Sequence, residues 1–459
     1  MKTQPTFRKY DPDQLLLLPE DMREWLPEDH LAHFVRDVVA ELDLSEIFAR
    51  YNGAKGGYPP YHPTMMTGLL IYGYCVGIRS SRKIERACWE QVPFRVLAAG
   101  QNPDHDTISE FRRKHITSLP KIFLQALNMC KKAGLVKLGH VALDGTKMQA
   151  NASKHKSMSY ARMLKKEREL EDAITRLLNE AEDLDRNEDQ RFGKGKRGDE
   201  LPEELRFKEN RLLKIKEAKA ALEAEAKEAA KQDRQDEKND DEGKGPKQGR
   251  SGSTKSSGKP ADKAQRNFTD PESRIMMAGA TKSFEQCYNC QTAVDDAAQV
   301  IVATYVTQEP NDKQQIKPLY TAIQRNLGRR AKPQKVSADA GYWSEDNANF
   351  LESRKVDGYV ATGRMKRTEK PAPPPRGRIP DDATVKQRMA RKLRTREGQA
   401  IYKMRKAIVE PVFGQIKFAR GTRQFLLRGL EKVSGEWALI CAVHNFLKLF
   451  GSGWRPSPG

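Results

Sequence analysis

Apolar residues in this 459-residue chain recur at helical spacing over its first third, and at strand spacing in separate blocks further on. Between 29 and 48, Leu31, Phe34, Val35, Val38, Val39 and Leu42 line one helical face. A turn-rich link with Gly53, Gly56, Gly57, Pro59 and Pro60 follows. His62-Pro63-Thr64 then opens a second helix, with Pro in the early position that helices tolerate. A basic helix is predicted over 80–90 (Arg82, Lys83, Arg86), and another from Asp106, ending in Arg112, Arg113 and Lys114. Residues 1–135 thus read as a helical domain. Its short, basic-fronted helices suit a helix-turn-helix-like DNA reader and equally suit an ordinary bundle with a charged face.

The period changes at 136–155. Val136, Leu138, Val141, Ala142 and Leu143 predict a short strand that stops at Asp144-Gly145. At 156–230, Leu170, Ile174, Leu177, Ala181 and Leu184, and later Leu205, Leu212, Ile215, Leu222, Ala226 and Ala229, give heptad-like seams about a Gly-rich break. An inserted antiparallel helical hairpin is expected, with an intermolecular coiled coil as the alternative. Residues 231–266 have almost no apolar side chains and are expected to be a disordered linker. Strand patterning returns over 284–294 and 299–306, which predicts a hairpin about Asp295-Asp296. A helix (312–327), a strand ending at Asp339, a helix (345–354), a strand (358–362), an extended Pro-rich stretch (370–380), a basic helix with Glu410 and an apolar last helix complete the 267–455 segment.

Charge sharpens this picture. With 82 Lys+Arg against 62 Asp+Glu the net charge is +20, which favours a polyanionic partner. The excess is concentrated: 361–430 holds 19 Lys/Arg and 5 Asp/Glu, a block that includes Glu410. The start lacks an apolar signal core, and the longest apolar runs, such as 68–78, are far shorter than the ~20 residues of a spanning helix, so no membrane partner is expected. Six scattered cysteines read as reduced thiols and point to the cytoplasm.

Three carboxylates stand out as candidate chemistry: Asp144 in VALDGTKMQA, Asp339 in VSADAGYWS and Glu410 in YKMRKAIVEPVFGQIK. Two carboxylates at strand ends and one on a basic helix can converge to hold divalent metal beside a phosphate. Asp270, Asp295, Asp296 and Asp312 are read instead as turn, loop or helix-start residues. The Cys287-x-x-Cys290 pair lacks the further ligands of a structural zinc. Trp343 is read as packing, with base stacking as the alternative. No nucleophilic Ser or Cys constellation and no Gly-x-x-x-x-Gly-Lys-Ser/Thr run is present.

Strand, Asp, hairpin, helix, strand, Asp and a late helix with Glu is the order of an RNase H-like fold. The chain resembles the DDE-type insertion-sequence transposases of bacteria, in the branch with a helical N-terminal domain and a Tyr-Arg-Glu-Lys signature. The resemblance rests on HPTMMTGLLIYGYCVGIRSSRKIE, DHDTISEFRR, LDGTKMQANAS, SFEQCYNCQTAVD, ADAGYWS, YKMRKAIVEPVFGQIK and the RGL turn at Arg428. It implies an α/β architecture: an RNase H-like catalytic domain, a helical N-terminal DNA-binding domain and the helical-hairpin insertion. The signature falls on Tyr402, Arg405, Glu410 and Lys417. Arg405 precedes the Glu by five residues where the pattern has four, so either Arg405 or Lys406 is the DNA contact. Arg112 and Arg113 join them as candidate DNA-binding residues.

The implied activity is cleavage and strand transfer by two Mg²⁺ ions, replaceable by Mn²⁺, held by Asp144, Asp339 and Glu410. The implied partners are double-stranded DNA, as terminal inverted repeats and as target, and a second copy of the chain, making at least a homodimer in the synaptic complex. A nucleoid-associated bacterial location follows. The rival readings are a catalytically inactive transposase-derived DNA-binding or regulatory protein, and a nuclease of the same fold without strand transfer.

Overall fold

The computed structural model describes residues 21–51, 59–192, 203–241, 258–278, 283–363 and 376–456. The N-terminal region is helical: α1 (Leu31–Glu41), α2 (Ser45–Phe48), α3 (Pro63–Cys75), α4 (Ser81–Glu90), α5 (Val92–Leu97), α6 (His105–Lys114) and α7 (Leu119–Lys132). Local chemistry starts these helices. His62 Nδ1 accepts from Thr64 N ahead of Pro63, and Asp104 Oδ1 accepts from Thr107 N at 2.8 Å, one residue pair earlier than the Asp106 start read from the pattern. The helix expected over 29–48 is split, because Leu42 leaves the helical conformation and is buried.

A six-stranded mixed sheet follows. β1 (His140–Gln149) leads to β2 (Ser157–Ser159), then the helices α8 (Tyr160–Phe192) and α9 (Glu203–Asp241), and back through β3 (Gln265–Asn267) to β4 (Arg274–Met277). β5 (Phe284–Asp295), β6 (Ile301–Thr307), α10 (Ile316–Leu327), β7 (Lys335–Ala338), α11 (Glu345–Ser353), β8 (Asp357–Val360), α12 (Val385–Arg394), α13 (Arg396–Gly414) and α14 (Leu430–Gly451) complete the order. β5 pairs antiparallel with β1 on one edge and with β4 and β6 on the other; β1, β7 and β8 run parallel.

β1 does not stop at Asp144. It begins four residues later than the apolar run and continues to Gln149, because β5 supplies a ladder as far as Gln149↔Cys287. The apolar run marked only the fully buried half; the rest has a partner on one edge and alternates in exposure.

α8 and α9 run antiparallel, with Lys219 on Glu167, Lys216 on Glu171 and Tyr160 on Glu223, around a small core of Met163, Leu170, Ile215, Ala218 and Leu222. The 231–266 segment departs from the expected linker at both ends. α9 runs on to Asp241, since Lys, Arg, Gln and Glu have good helix propensity whatever their polarity, and β3 pairs with β2. Residues 242–257 lie outside the described residues, as do most of 370–380.

The N-terminal helices and the sheet share one hydrophobic core, so the change of pattern at 135 is not a packing boundary. α14 joins them: it lies against α3, α7 and β6. Gly435 brings α14 so close to the turn after α6 that a Cβ there would stand 2.5 Å from Ile116 O. Its neighbour Glu436 is fully buried. It accepts from Leu426 N and Leu427 N at 3.0 Å and from Tyr74 OH at 3.3 Å, and faces Arg79 at 3.6 Å. Burial pushes its pKa up and these hydrogen bonds and cations oppose the shift.

α13 carries Pro411, which cannot donate to Ala407 O. That carbonyl accepts instead from Gln299 Nε2 at 2.9 Å, in the β5–β6 turn. Gln299 is itself held by Lys448 on its Oε1 and by His444 on its backbone carbonyl.

Glu436→Ala removes the acceptor of three donors and leaves a buried cation, so a loss of about 3 kcal/mol is expected. Thermal denaturation checks this: an unchanged Tm would mean that the junction between the N-terminal helices and α14 does not rest on this carboxylate.

Candidate active site

The geometry of the site is set where two parallel strands end together. The β1–β7 ladder runs from His140↔Lys335 to Leu143↔Ala338, so the next residues on each strand, Asp144 and Asp339, emerge side by side. Asp144 Oδ1 accepts from Gly145 N and Asp339 Oδ1 from Gly341 N, each at 2.8 Å.

α13 crosses β1, β7 and β8 and brings Arg405 over Asp144, Nη1 to Oδ2 at 3.3 Å, with the Arg405 side chain 9% and the Asp144 side chain 20% exposed. Tyr402, one turn earlier, lies 5.7 Å from the Arg405 guanidinium. The Asp144 pKa is pushed up to about 7, chiefly by burial. Arg405 opposes the rise, and the negative charges of Asp339 and Asp312 add to it. Burial also raises the Tyr402 pKa.

Glu410 is not brought to this pair. It stands five residues beyond Arg405, roughly 140° round the helix, and is exposed. Among the described residues no group of three or more His, Cys, Asp or Glu side chains is placed to hold a metal ion. Gln299 pins α13 at Ala407 and helps to hold this rotation.

The expected DNA contacts divide by exposure. Arg112 is buried, donating to Arg79 O at 2.9 Å, so it faces the protein interior and not a phosphate. Arg113 is exposed beside Glu110. Of the Arg405 and Lys406 alternatives, Arg405 is the partner of Asp144 and Lys406 is exposed. Lys417 is half-buried and donates to Lys147 O at 2.9 Å, fastening the end of α13 to β1; burial lowers its pKa.

The residues set aside as turn formers separate too. Asp295 accepts from Leu138 N and Ala297 N, and Asp270 from Gly429 N and Tyr288 OH. Asp312 is different. It lies beneath the aspartate pair with Asn289, Gln291, Lys147 and Tyr342, a group that no local motif marks, since its members come from four separate segments. Trp343 packs half-buried against the main core, and Cys287 and Cys290 are buried in β5.

Adjacent carboxylates thus lie at the ends of central parallel strands, under a basic helix. Two family models match the chain: one described as Transposase domain (DUF772) over residues 20–114, and one described as Transposase DDE domain over 378–450. Both support an insertion-sequence transposase of the DDE type. The second match contains Tyr402, Arg405 and Glu410; Asp144 and Asp339 lie between the two. Comparison with curated proteins and with solved structures finds no match. No helix among the described residues is long and apolar enough to cross a membrane.

The raised pKa of Asp144 fixes the sign of a pH effect. The folded state holds this proton between about pH 4 and 7, so the contribution of Asp144 to stability falls as pH rises from about 4 to 7, by on the order of 4 kcal/mol in all. Asp144→Asn is therefore expected to melt above the unsubstituted protein at pH 8 without divalent ions, and the gap is expected to narrow at pH 5 and to close near pH 4. A variant that melts no higher at pH 8 would contradict the burial argument.

Proposed function

We propose that this transposase binds the terminal inverted repeats of its element and cuts and rejoins DNA at Asp144 and Asp339, on an RNase H-like sheet. The observation that carries the reading is the emergence of the two aspartates from neighbouring parallel strands, in a chain with transposase domains towards both ends. Strand order supports the fold: a central strand antiparallel to a hairpin on one side and parallel to two strands on the other.

Two carboxylates suit a hard divalent cation such as Mg²⁺. Asp144 also remains short of positive charge, because its pKa rises despite Arg405. When bound, the cation supplies a lowered pKa for the attacking water and stabilises the departing oxygen. Asp144 and Asp339 would hold it, while Arg405 and Tyr402 wall the site. Water attacks the phosphodiester, the 3′-oxygen departs, and the freed 3′-hydroxyl attacks a target phosphodiester and displaces its 3′-oxygen. No bond to the protein forms. Arg113, Lys406 and the exposed Arg82, Lys83 and Arg86 of α4 supply phosphate contacts. Glu410 fits the metal set only after rotation of α13, and a homodimer would present two sites to two ends.

The position of Glu410 favours one second reading, a transposase-derived DNA-binding protein without catalysis. Cleavage of an end duplex in Mg²⁺ separates the two. Asp144→Asn and Asp339→Asn are expected to abolish it while leaving binding in Ca²⁺ intact, and an unsubstituted protein that binds the end without cutting it would establish the second reading. Glu410→Gln tests the third ligand in the same assay, where retained cleavage removes Glu410 from the site.

Exposure predicts a contrast in salt dependence. Lys406→Ala should make the slope of log K against log salt shallower by roughly 0.9, and Arg112→Ala should leave the slope unchanged while lowering Tm. Equal slopes for Lys406→Ala and the unsubstituted protein would take Lys406 off the phosphate backbone.

A further inference from the structure

Asp312 lies on the loop before α10, far in sequence from either aspartate, yet its two carboxylate oxygens reach beneath both. Oδ1 accepts from Gln291 Nε2 at 2.6 Å and from Asn289 Nδ2 at 2.7 Å, and Lys147 Nζ stands 3.5 Å away. Gln291 and Asn289 are the β5 partners of Gly145 and Lys147 in the β1–β5 register, so one carboxylate gathers the side chains of two successive cross-strand pairs on one face of the sheet. That face lies opposite Asp144, which is one residue away on β1.

This cluster occupies the space a side chain at 145 would need. A Cβ on Gly145 would overlap Gln291 Nε2, stand 2.8 Å from Asp312 Oδ1 and 3.0 Å from Asn289 Oδ1. A side chain after Asp144 would thus have to displace the carboxylate and amides packed there. The turn after Asp339 is reached from the same cluster. Tyr342 OH donates to Gln291 Oε1, and a Cβ on Gly341 would stand 3.5 Å from Asp312 Oδ2 and 3.0 Å from Asp339 Oδ1. Asp312 therefore underlies the Asp-Gly step of β1 and, through Gln291 and Tyr342, the Asp-Ala-Gly-Tyr turn that follows β7.

We propose that Asp312 is a positioning residue for the reaction. It acts as a hydrogen-bond acceptor that fixes Gln291 and Asn289, and through them sets Asp144 against Asp339. This rests on the reading of those two aspartates as the reacting pair. A displacement of about 1 Å at a reacting group can lower a rate by about 100-fold, and Asn289, Gln291 and Tyr342 are buried while Asp312 and Lys147 are largely so. The expected defect is in turnover and not in DNA affinity.

The test is the rate of end-duplex cleavage in Mg²⁺ against DNA concentration, for Asp312→Ala, Asp312→Asn and Gly145→Ala beside Asp144→Asn and Asp339→Asn. Asp312→Ala should lower kcat on the order of 100-fold with KM changed less than about twofold. Asp312→Asn keeps an oxygen for both amides and should recover at least about tenfold of that loss. Gly145→Ala, which leaves Asp312 in place and displaces the amides from the other side, should repeat the kcat defect. The proposal is overturned if Asp312→Ala keeps full kcat, if its loss lies in KM, or if Asp312→Asn is no better than Asp312→Ala. Should Asp312→Ala fail to fold by circular dichroism, full activity of Gly145→Ala overturns it equally. Cleavage by Asp144→Asn or Asp339→Asn would instead bring down the reading of the pair, whereas their inactivity beside an active Asp312→Ala would bring down this inference alone.

Discussion

A carboxylate removed from water beside a second carboxylate is the constraint around which the candidate site is arranged. Asp144 is mostly buried and Asp339 adjoins it, so burial and the charge of Asp339 both disfavour ionised Asp144. Arg405 offsets part of this, and its own burial is tolerable only because Asp144 receives it. The ion pair thereby fixes the rotation of α13 over the sheet. That rotation then determines which signature residues face inward and which face solvent: Tyr402 and Arg405 lie towards the pair, Lys406 and Glu410 away.

Two tethers hold α13 in that setting, and both join it to elements outside the basic block. Gln299 satisfies the carbonyl that Pro411 orphans, and Lys417 fastens the far end of the helix to Lys147 O on β1. Since Gln299 is gripped by His444 and Lys448 of α14, the last helix supports α13 as well as the N-terminal helices. The N-terminal helices and the candidate site therefore rest on one core. A DNA-contacting surface in the N-terminal region is restricted to side chains that this core leaves exposed, such as Arg113, and excludes Arg112.

Much of the fold was legible because the dominant local signals were consistent with it. The β5–β6 hairpin, α3 behind His62-Pro63, α11 and the strand before Asp339 follow from period, caps and turn residues within their own segments. Signals failed where an element depends on a distant partner. β4 pairs only because β5 offers an edge, and the second half of β1 persists beyond its apolar run for the same reason. The candidate site divides in the same way. Asp144 and Asp339 could be found from the apolar runs before them, whereas Asp312 is indistinguishable from a helix-start aspartate until Gly145, Gln291 and Tyr342 are seen around it.

The sequence by itself determined which residues could do chemistry and roughly which element carries each, since strand ends, helix starts and charge blocks are local properties of the chain. It also determined the helical character of both ends and the seams of α8 and α9. Tertiary structure alone decided the pairings: that Arg405 and not Lys406 meets Asp144, that Arg112 points inward, that Glu410 faces solvent and that Asp312 lies beneath the pair. Helix rotation and strand register set these outcomes. Both are fixed by contacts between separate segments, from Arg112 on Arg79 to Arg405 on Asp144, and no local pattern encodes which partner arrives.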